Sequence, residues 1–340
     1  MTEPYVHRIS VVIPVYQGER TLPGVVGELR PLTQGFRTPG GRLARVEEVL
    51  LAHDRGPDRS DAVIRELASG DEWITPVWLS RNFGQHAATL AGMAGSGGEW
   101  IITMDEDGQH DPADIGVLLD AALDEQADLV YGAPVNRPPH GLMRNTASRA
   151  SKRVLQTVFG GGNAAEFNSF RLVLGEIGRS VAAYAGTGVY LDVALGWIAA
   201  RTATAPVTLR EEGDRRSGYS YRRLFGHFLR MVLTSGTRGL RIVTLTGTSV
   251  FVAGLLFALY LVIARLAGVV NEPGWTSLMV VLLLGIGVIL VALGIIAEYL
   301  GVAVSTALGK PSYLIVRDPA LGPLAHTERV AHEGSTARTS

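Results

Sequence analysis

Residues 100–112 read WIITMDEDGQHDP. An apolar run from Trp100 to Met104 ends in Asp105, Glu106 and Asp107, with Gln109, His110 and Asp111 close behind. Negative charge gathered at the end of a strand has two physical uses. It can solvate a turn, or it can hold a divalent cation. Mg²⁺ and Mn²⁺ prefer hard oxygen ligands and are commonly bound by one or two carboxylates together with water and substrate phosphate. The Asp-x-Asp spacing alone does not decide between these uses. The setting favours the cation: an apolar strand, the acid pair, Gln109, then an acid and Pro112 at the start of a helix. On this reading Asp105 and Asp107 meet the metal, with Gln109 beside them. Glu106 points away, and Asp111 caps the helix that begins at Pro112.

Asp54 closes a second apolar run, and Gly56-Pro57 turns the chain after it. Asp58 and Ser60 are read as caps of the following helix. For Asp54 itself, capping and ligand contact both stand.

These residues need elements to position them. Apolar runs at 9–15, 47–53, 74–80, 99–105 and 127–133 alternate with helical stretches over the first 235 residues. Strands that are apolar throughout and separated by helices imply an α/β domain with a mainly parallel sheet covered on both faces. In such sheets ligands bind beyond the carboxyl ends of the strands. Four runs end there in Tyr16, Asp54, Arg81-Asn82 and Asp105. Trp73, Trp78, Trp100 and Trp197 are read as packing residues.

The chain has 340 residues, a formal net charge of -1 and no cysteine. It therefore has no disulfide, thiolate metal site or cysteine nucleophile. Its charge balance argues against nucleic-acid binding driven by bulk charge. The N-terminus lacks the apolar segment of a signal peptide.

Residues 242–264 and 274–297 carry no charge. Each exceeds the ~20 apolar residues that span ~30 Å of hydrocarbon, so two transmembrane helices are expected within 242–309. Arg222, Arg223, Arg230, Arg238 and Arg241 precede the first run, Lys310 and Arg317 follow the second, and the link between them holds only Arg265 and Glu272. By the positive-inside rule the large domain, residues 1–221, lies in the cytoplasm. Residues 222–241 mix Arg with apolar residues at helical spacing. They suit either a juxtamembrane amphipathic helix or one packed on the domain. Residues 310–340 form a cytoplasmic tail with a disordered end.

In order, ISVVIPVYQGERTL, the strand ending in Asp before GPDRS, LSRNFGQHAATLAGM, IITMDEDGQHDP, DLVYG, Arg144 to Ser148, EFNSFR at 166–171 and RRSGYS at 215–220 make a specific series. With the two apolar runs, it resembles the family 2 glycosyltransferases. Within these it is similar to the membrane-attached enzymes that act on polyprenyl phosphates: dolichol-phosphate mannose synthase, the bactoprenol glucosyltransferases and the undecaprenyl-phosphate aminoarabinose transferases. The resemblance covers roughly residues 8–317. It implies a GT-A fold and an inverting transfer of a sugar from a nucleotide diphosphate, a UDP-sugar foremost, to undecaprenyl phosphate at the inner membrane. It implies that Pro14, Tyr16, Glu19 and Asp54 line the nucleotide, as Asp105 does through the metal. Asp105, Asp107 and Gln109 are the implied site for Mg²⁺ or Mn²⁺. Arg144, Arg171, Arg215 and Ser220 are the implied phosphate contacts, and Glu166 serves either as a base or as a structural carboxylate. Self-association as a tetramer is implied as well. Glu106 and Gly108 depart from the family's usual small residue and Leu.

The chemistry suits these residue types. The leaving diphosphate gains charge as the anomeric bond breaks, and a cation with arginines offsets it. Arg offers phosphate a planar, permanently charged fork. Arg81 and His86 either meet substrate or tie strand to helix, and Arg149, Lys152 and Arg153 suit a solvated helix face. Two other readings are a processive polysaccharide synthase and an inactive membrane scaffold. The first would need further spans and a Gln-x-x-Arg-Trp motif, which the sequence lacks. The acids and arginines above speak against the second.

Overall fold

The computed structural model describes residues 4–136, 168–186, 190–210 and 274–323, with scattered positions between 247 and 267. The chain divides into two compact units. One comprises residues 1–153, 163–219 and 311–340, and the other 154–162 and 220–310.

The first unit is built on β1 (Val6–Val15), β2 (Phe36–Arg37), β3 (Leu43–His53), β4 (Ile74–Leu79), β5 (Trp100–Thr103), β6 (Leu129–Pro134), β7 (Arg171–Leu174), β8 (Thr202–Val207) and β9 (Ile315–Val316). Their order is β8-β6-β7-β5-β1-β3-β4-β9, with β2 paired to β3. The five apolar runs become β1, β3, β4, β5 and β6, which all point the same way. Val11, Val12, Ile13, Leu50 and Leu51 are fully buried, as expected of strands covered on both faces.

The sheet is mixed rather than mainly parallel. β7 runs antiparallel between β5 and β6, and β9 and β2 run antiparallel to β4 and β3. These three strands are only two to four residues long. Runs that short carry no periodicity by which a sequence declares its direction. β9 lies in the stretch expected as a tail, and it forms one edge of the sheet.

Helices cover both faces. Leu22 and Val26 of α1 (Leu22–Leu29), Ile64 of α2 (Ser60–Gly70) and Leu118 and Leu119 of α4 (Ile115–Glu125) join one core with Val11 and Ile13. Ala88 and Met93 of α3 (Gln85–Gly95), Val181 of α5 (Gly175–Tyr184) and Leu191 and Leu195 of α6 (Leu191–Ile198) join the other with Val12 and Leu50. Trp78 and Trp100 are buried, as expected of packing residues. Trp197, expected to pack, is 61% exposed on the outer side of α6.

In the second unit the backbone of α7 (Trp275–Ala307) is one helix of 33 residues. Several of its side chains, and most of 242–264, lie outside the description. Counting described residues alone, no helix is long and apolar enough to cross a membrane.

Candidate active site

Parallel pairing fixes which strand ends meet. Pro14 lies opposite Ala52 and Val15 opposite His53. The N–H of Asp54 therefore reaches the carbonyl of Val15 at 2.8 Å. β5 lies on the other side of β1, and the N–H of Met104 donates to the carbonyl of Val12 at 3.1 Å. The loops after β1, β3, β4 and β5 thus leave the sheet side by side, carrying Tyr16, Asp54, Arg81 and Asp105.

Asp54 is buried, and its two oxygens accept the N–H groups of Phe83 at 2.7 Å and Gly84 at 2.8 Å. It thereby ties the end of β3 to the start of α3. Gly84 has φ 96°, a conformation that favours glycine. Burial raises the Asp54 pKa, while the two N–H groups and Arg81 pull it down.

Asp105 is held by three groups. One oxygen accepts from Gln85 Nε2 and the other from Ser169 Oγ, both at 2.6 Å. Its N–H donates to Nδ1 of His110 at 3.0 Å. That nitrogen accepts, so the imidazole is neutral with its proton on Nε2. Burial agrees by lowering the His110 pKa, against the opposing pull of Asp105 and Asp107. The ring stacks on Phe170 with centroids 4.9 Å apart. Asp107 accepts the N–H of Gln109 at 3.0 Å, which closes the acidic turn on itself. Gly108 there has φ 77°.

Asp111 is the cap expected. Its carboxylate accepts the N–H of Ala113 at 2.9 Å, with Pro112 at the first helical position. It also pairs with Arg210 at 2.9 Å. The N–H of Arg210 in turn donates to the carbonyl of Gln109 at 2.9 Å, and the N–H of Thr208 to Asp114 at 3.1 Å. The chain leaving β8 is therefore stitched along the acidic loop.

Three expected residues have different surroundings from those the sequence suggested. Glu106 turns inward and accepts the N–H groups of Tyr16 and Gln17, each at 2.9 Å. Glu19 accepts the N–H of Arg59 at 3.1 Å, bracing the start of α2. Arg171 is buried and forms an ion pair with Asp192, while its Nε donates to Thr103 Oγ1 at 3.1 Å. Tyr131 also donates to Asp192 at 3.1 Å, and burial raises its pKa. The charge of Arg171 is met within the core.

Among the other candidates, Pro14 sits in β1 and Tyr16 is partly exposed. Arg81 lies over the ring of Phe83 at 4.0 Å, and His86 lies against Tyr190 at 4.0 Å. Arg144, Glu166, Arg215 and Ser220 lie outside the described residues. Gln85, Ser169, His110 and Asp192 are contributors that the sequence reading passed over. Gln85 and Ser169 stood inside quoted motifs, but a neutral amide or hydroxyl gives no signal until its carboxylate partner is known.

No group of three or more His, Asp or Glu among the described residues could hold a metal ion. Mg²⁺ and Mn²⁺ do not need such a cage when a diphosphate and water complete the shell. Asp105 and Asp107, hard oxygen donors on a closed turn, fit that need.

The Asp-x-Asp turn lies at the carboxyl ends of the strands, where α/β sheets bind their ligands. Residues 10–175 match the family described as glycosyl transferase family 2. A Klebsiella pneumoniae undecaprenyl-phosphate 4-deoxy-4-formamido-L-arabinose transferase is 31% identical over 334 residues, covering 93% of this chain and 95% of that protein. The enzyme of the same name from Pseudomonas aeruginosa is 31% identical over 342 residues, covering 99% and 98%. Among solved structures, glucosyl-3-phosphoglycerate synthase from Mycobacterium tuberculosis, in complex with Mn²⁺, UDP-glucose and phosphoglyceric acid, aligns with a TM-score of 0.47. It shares 19% identity over 68% of this chain and 79% of that one. The chain belongs to glycosyl transferase family 2 and is a glycosyltransferase.

Proposed function

We propose that this glycosyltransferase moves one sugar from a nucleotide diphosphate donor, a UDP-sugar foremost, to undecaprenyl phosphate at the cytoplasmic face of the inner membrane. The observation that carries the proposal is where the insertion 211–310 joins the domain. β8 ends, and β9 begins, at the carboxyl end of the parallel strands, the end at which Asp105 and Asp107 lie, on opposite flanks of the sheet. The departing Arg210 is bonded to the acidic loop itself, and on the return Leu314 accepts the N–H of Ser80. The acceptor phosphate would meet the donor at that end of the sheet. The names of the relatives point to the same acceptor.

The bilayer is part of this reading. Leu278, Leu282, Ile286, Ile289, Leu293, Ile296 and Leu300 of α7 are each about half exposed. An apolar stripe of that length needs a cover. Both ends of the insertion belong to one domain, so any membrane crossings within it are even in number. Two helices fit that count, and the flanking arginines put the domain inside.

The chemistry follows from the groups present. An acceptor phosphate oxygen attacks the anomeric carbon opposite the departing diphosphate, which inverts the configuration. The phosphate is already an anion and needs little help from a base, so positioning and electrostatics do most of the work. A bound Mg²⁺ or Mn²⁺ would supply positive charge to the diphosphate, held by Asp107 with Asp105 and Gln109. Pro14, Tyr16, Glu19 and Asp54 would border the nucleotide. Arg144, Arg215 and Ser220 would meet phosphates. Arg215 lies only five residues beyond Arg210, within about 17 Å of it along an extended chain. Glu166 would act as a base or as the partner of an arginine. Arg171 would act from the core by holding β7 in place.

The test is purified protein in detergent with Mn²⁺, undecaprenyl phosphate and a panel of nucleotide sugars. The expected product is a lipid phosphate bearing one sugar. Long polymer would favour a processive synthase, and no lipid product with any donor would refute the assignment.

A further inference from the structure

Four consecutive backbone N–H groups follow β1, and side chains from two other parts of the chain, residues 58–60 and Glu106, hold all of them. Tyr16 and Gln17 donate to the two oxygens of Glu106, each at 2.9 Å. Gly18 donates to Ser60 Oγ at 2.8 Å, and Glu19 to Asp58 at 3.0 Å. The carbonyl of Tyr16 is confined too, since a Cβ on Gly56 would strike it. The space around Gly18 is equally close, because a Cβ there would come within 2.8 Å of a Glu106 oxygen and of Leu22.

Two consequences follow. A loop whose N–H groups are already bonded to carboxylates and a hydroxyl offers no cradle to a phosphate, so the loop suits the uncharged part of a donor, its base and ribose. The second concerns Glu106. It sits between Asp105 and Asp107 in sequence, yet its side chain reaches across to the loop after β1. The acid turn and the 16–19 loop are thereby joined through one side chain. A receptor fixed in its bound shape binds more tightly, because less ordering remains to be done on binding.

We infer that Glu106 is a positioning residue that sets the nucleotide pocket before the donor arrives, by locking the loop of Tyr16 and Gln17 to the Asp105–Asp107 turn. This rests on the function proposed above. Glu106 acts on donor binding and leaves the step at the anomeric carbon to other residues.

The test compares E106A and E106Q with the parent chain by amide hydrogen exchange and by steady-state kinetics with the best donor of the panel. With E106A, exchange at Tyr16 and Gln17 should quicken about tenfold, while β1 and β3 exchange as before and so report an intact fold. Donor KM should rise about tenfold with kcat unchanged. E106Q keeps one acceptor oxygen and should fall between the two on both measures. Parental exchange at Tyr16 and Gln17 in E106A would overturn the lock. A fall in kcat at constant KM would overturn the positioning role. If the parent turns over no donor, the functional reading fails, but the exchange measurement still decides whether Glu106 locks the loop.

Discussion

Asp105 and Asp107 are two residues apart and differently placed. Both oxygens of Asp105 receive short bonds, from Gln85 and Ser169, so its orientation is fixed from outside the acidic turn. Asp107 is oriented from within the turn, by the N–H of Gln109. Groups that orient a metal-binding carboxylate typically contribute 10- to 100-fold to metal affinity or activity. Gln85→Ala should therefore weaken the Mn²⁺ dependence of turnover about tenfold, read as a shift of the half-saturating Mn²⁺ concentration. An unshifted titration would remove Gln85 from the site. At this scale the sequence showed what is local. The Asp111 cap could be read because cap, Pro112 and helix are adjacent. The partners of Glu106 were not legible because the N–H groups it holds lie 90 and 89 residues away. The ion pair of Arg171 with Asp192 was equally hidden, because nothing local announces Asp192 as its partner.

Among the elements, the long apolar strands were legible and the short ones were not. β8 reads TATAPV, small residues with half-buried alternation, and resembles loop as much as strand. β9 has two residues, yet its surroundings fix it firmly. Asp318 makes a two-pronged pair with Arg65 at 2.7 and 2.9 Å, and Arg65 also meets Asp61 at 2.8 Å and lies over Trp78. Tyr313 and Ser312 donate to the carbonyls of Ala182 and Ala185 at the end of α5. Asp318→Ala should lower stability by about 1 kcal/mol, the pair being partly open to solvent, and the thermal midpoint by about 2–4 °C. An unchanged midpoint would mean that the return strand is held by its backbone alone. His53 lies beneath the same cluster, edge-on to Trp78, with its Nε2 buried and without a hydrogen bond. Burial lowers its pKa, helped by Arg55 and Arg65 and opposed by Asp61 and Asp58. The unfolded chain takes up a proton near the usual imidazole value of about 6.5, and the folded chain resists it. The stabilising contribution is therefore complete above that value and is lost as pH falls toward the lower folded value. The urea midpoint should decline from pH 7 to pH 5, and His53→Phe should flatten part of that decline. An identical slope in the variant would exclude His53 as a source.

For the whole molecule, the informative fact is that residues 311–322 return to the domain that the chain leaves after Arg210. The sequence divided domain, apolar runs and tail by composition, which cannot reveal that the tail's first residues complete a sheet edge. Composition did supply the distribution of arginine on which the proposed orientation of the insertion rests. A reporter enzyme fused after residue 210 and another after residue 323 should report the same, cytoplasmic side, and one inserted at residue 270 the opposite side. Different sides for the first two would contradict the paired strands, and all three on one side would remove the membrane hairpin.

The most direct test of the central claim is mass spectrometry of the lipid extract after incubation with donor, Mn²⁺ and undecaprenyl phosphate, run beside Asp107→Ala and beside excess chelator. The expected product is a new lipid heavier than the acceptor by one sugar residue. Its yield should fall about 10³-fold in the variant and vanish with chelator. An equal yield of that lipid in all three reactions, or its absence with every donor, would contradict it.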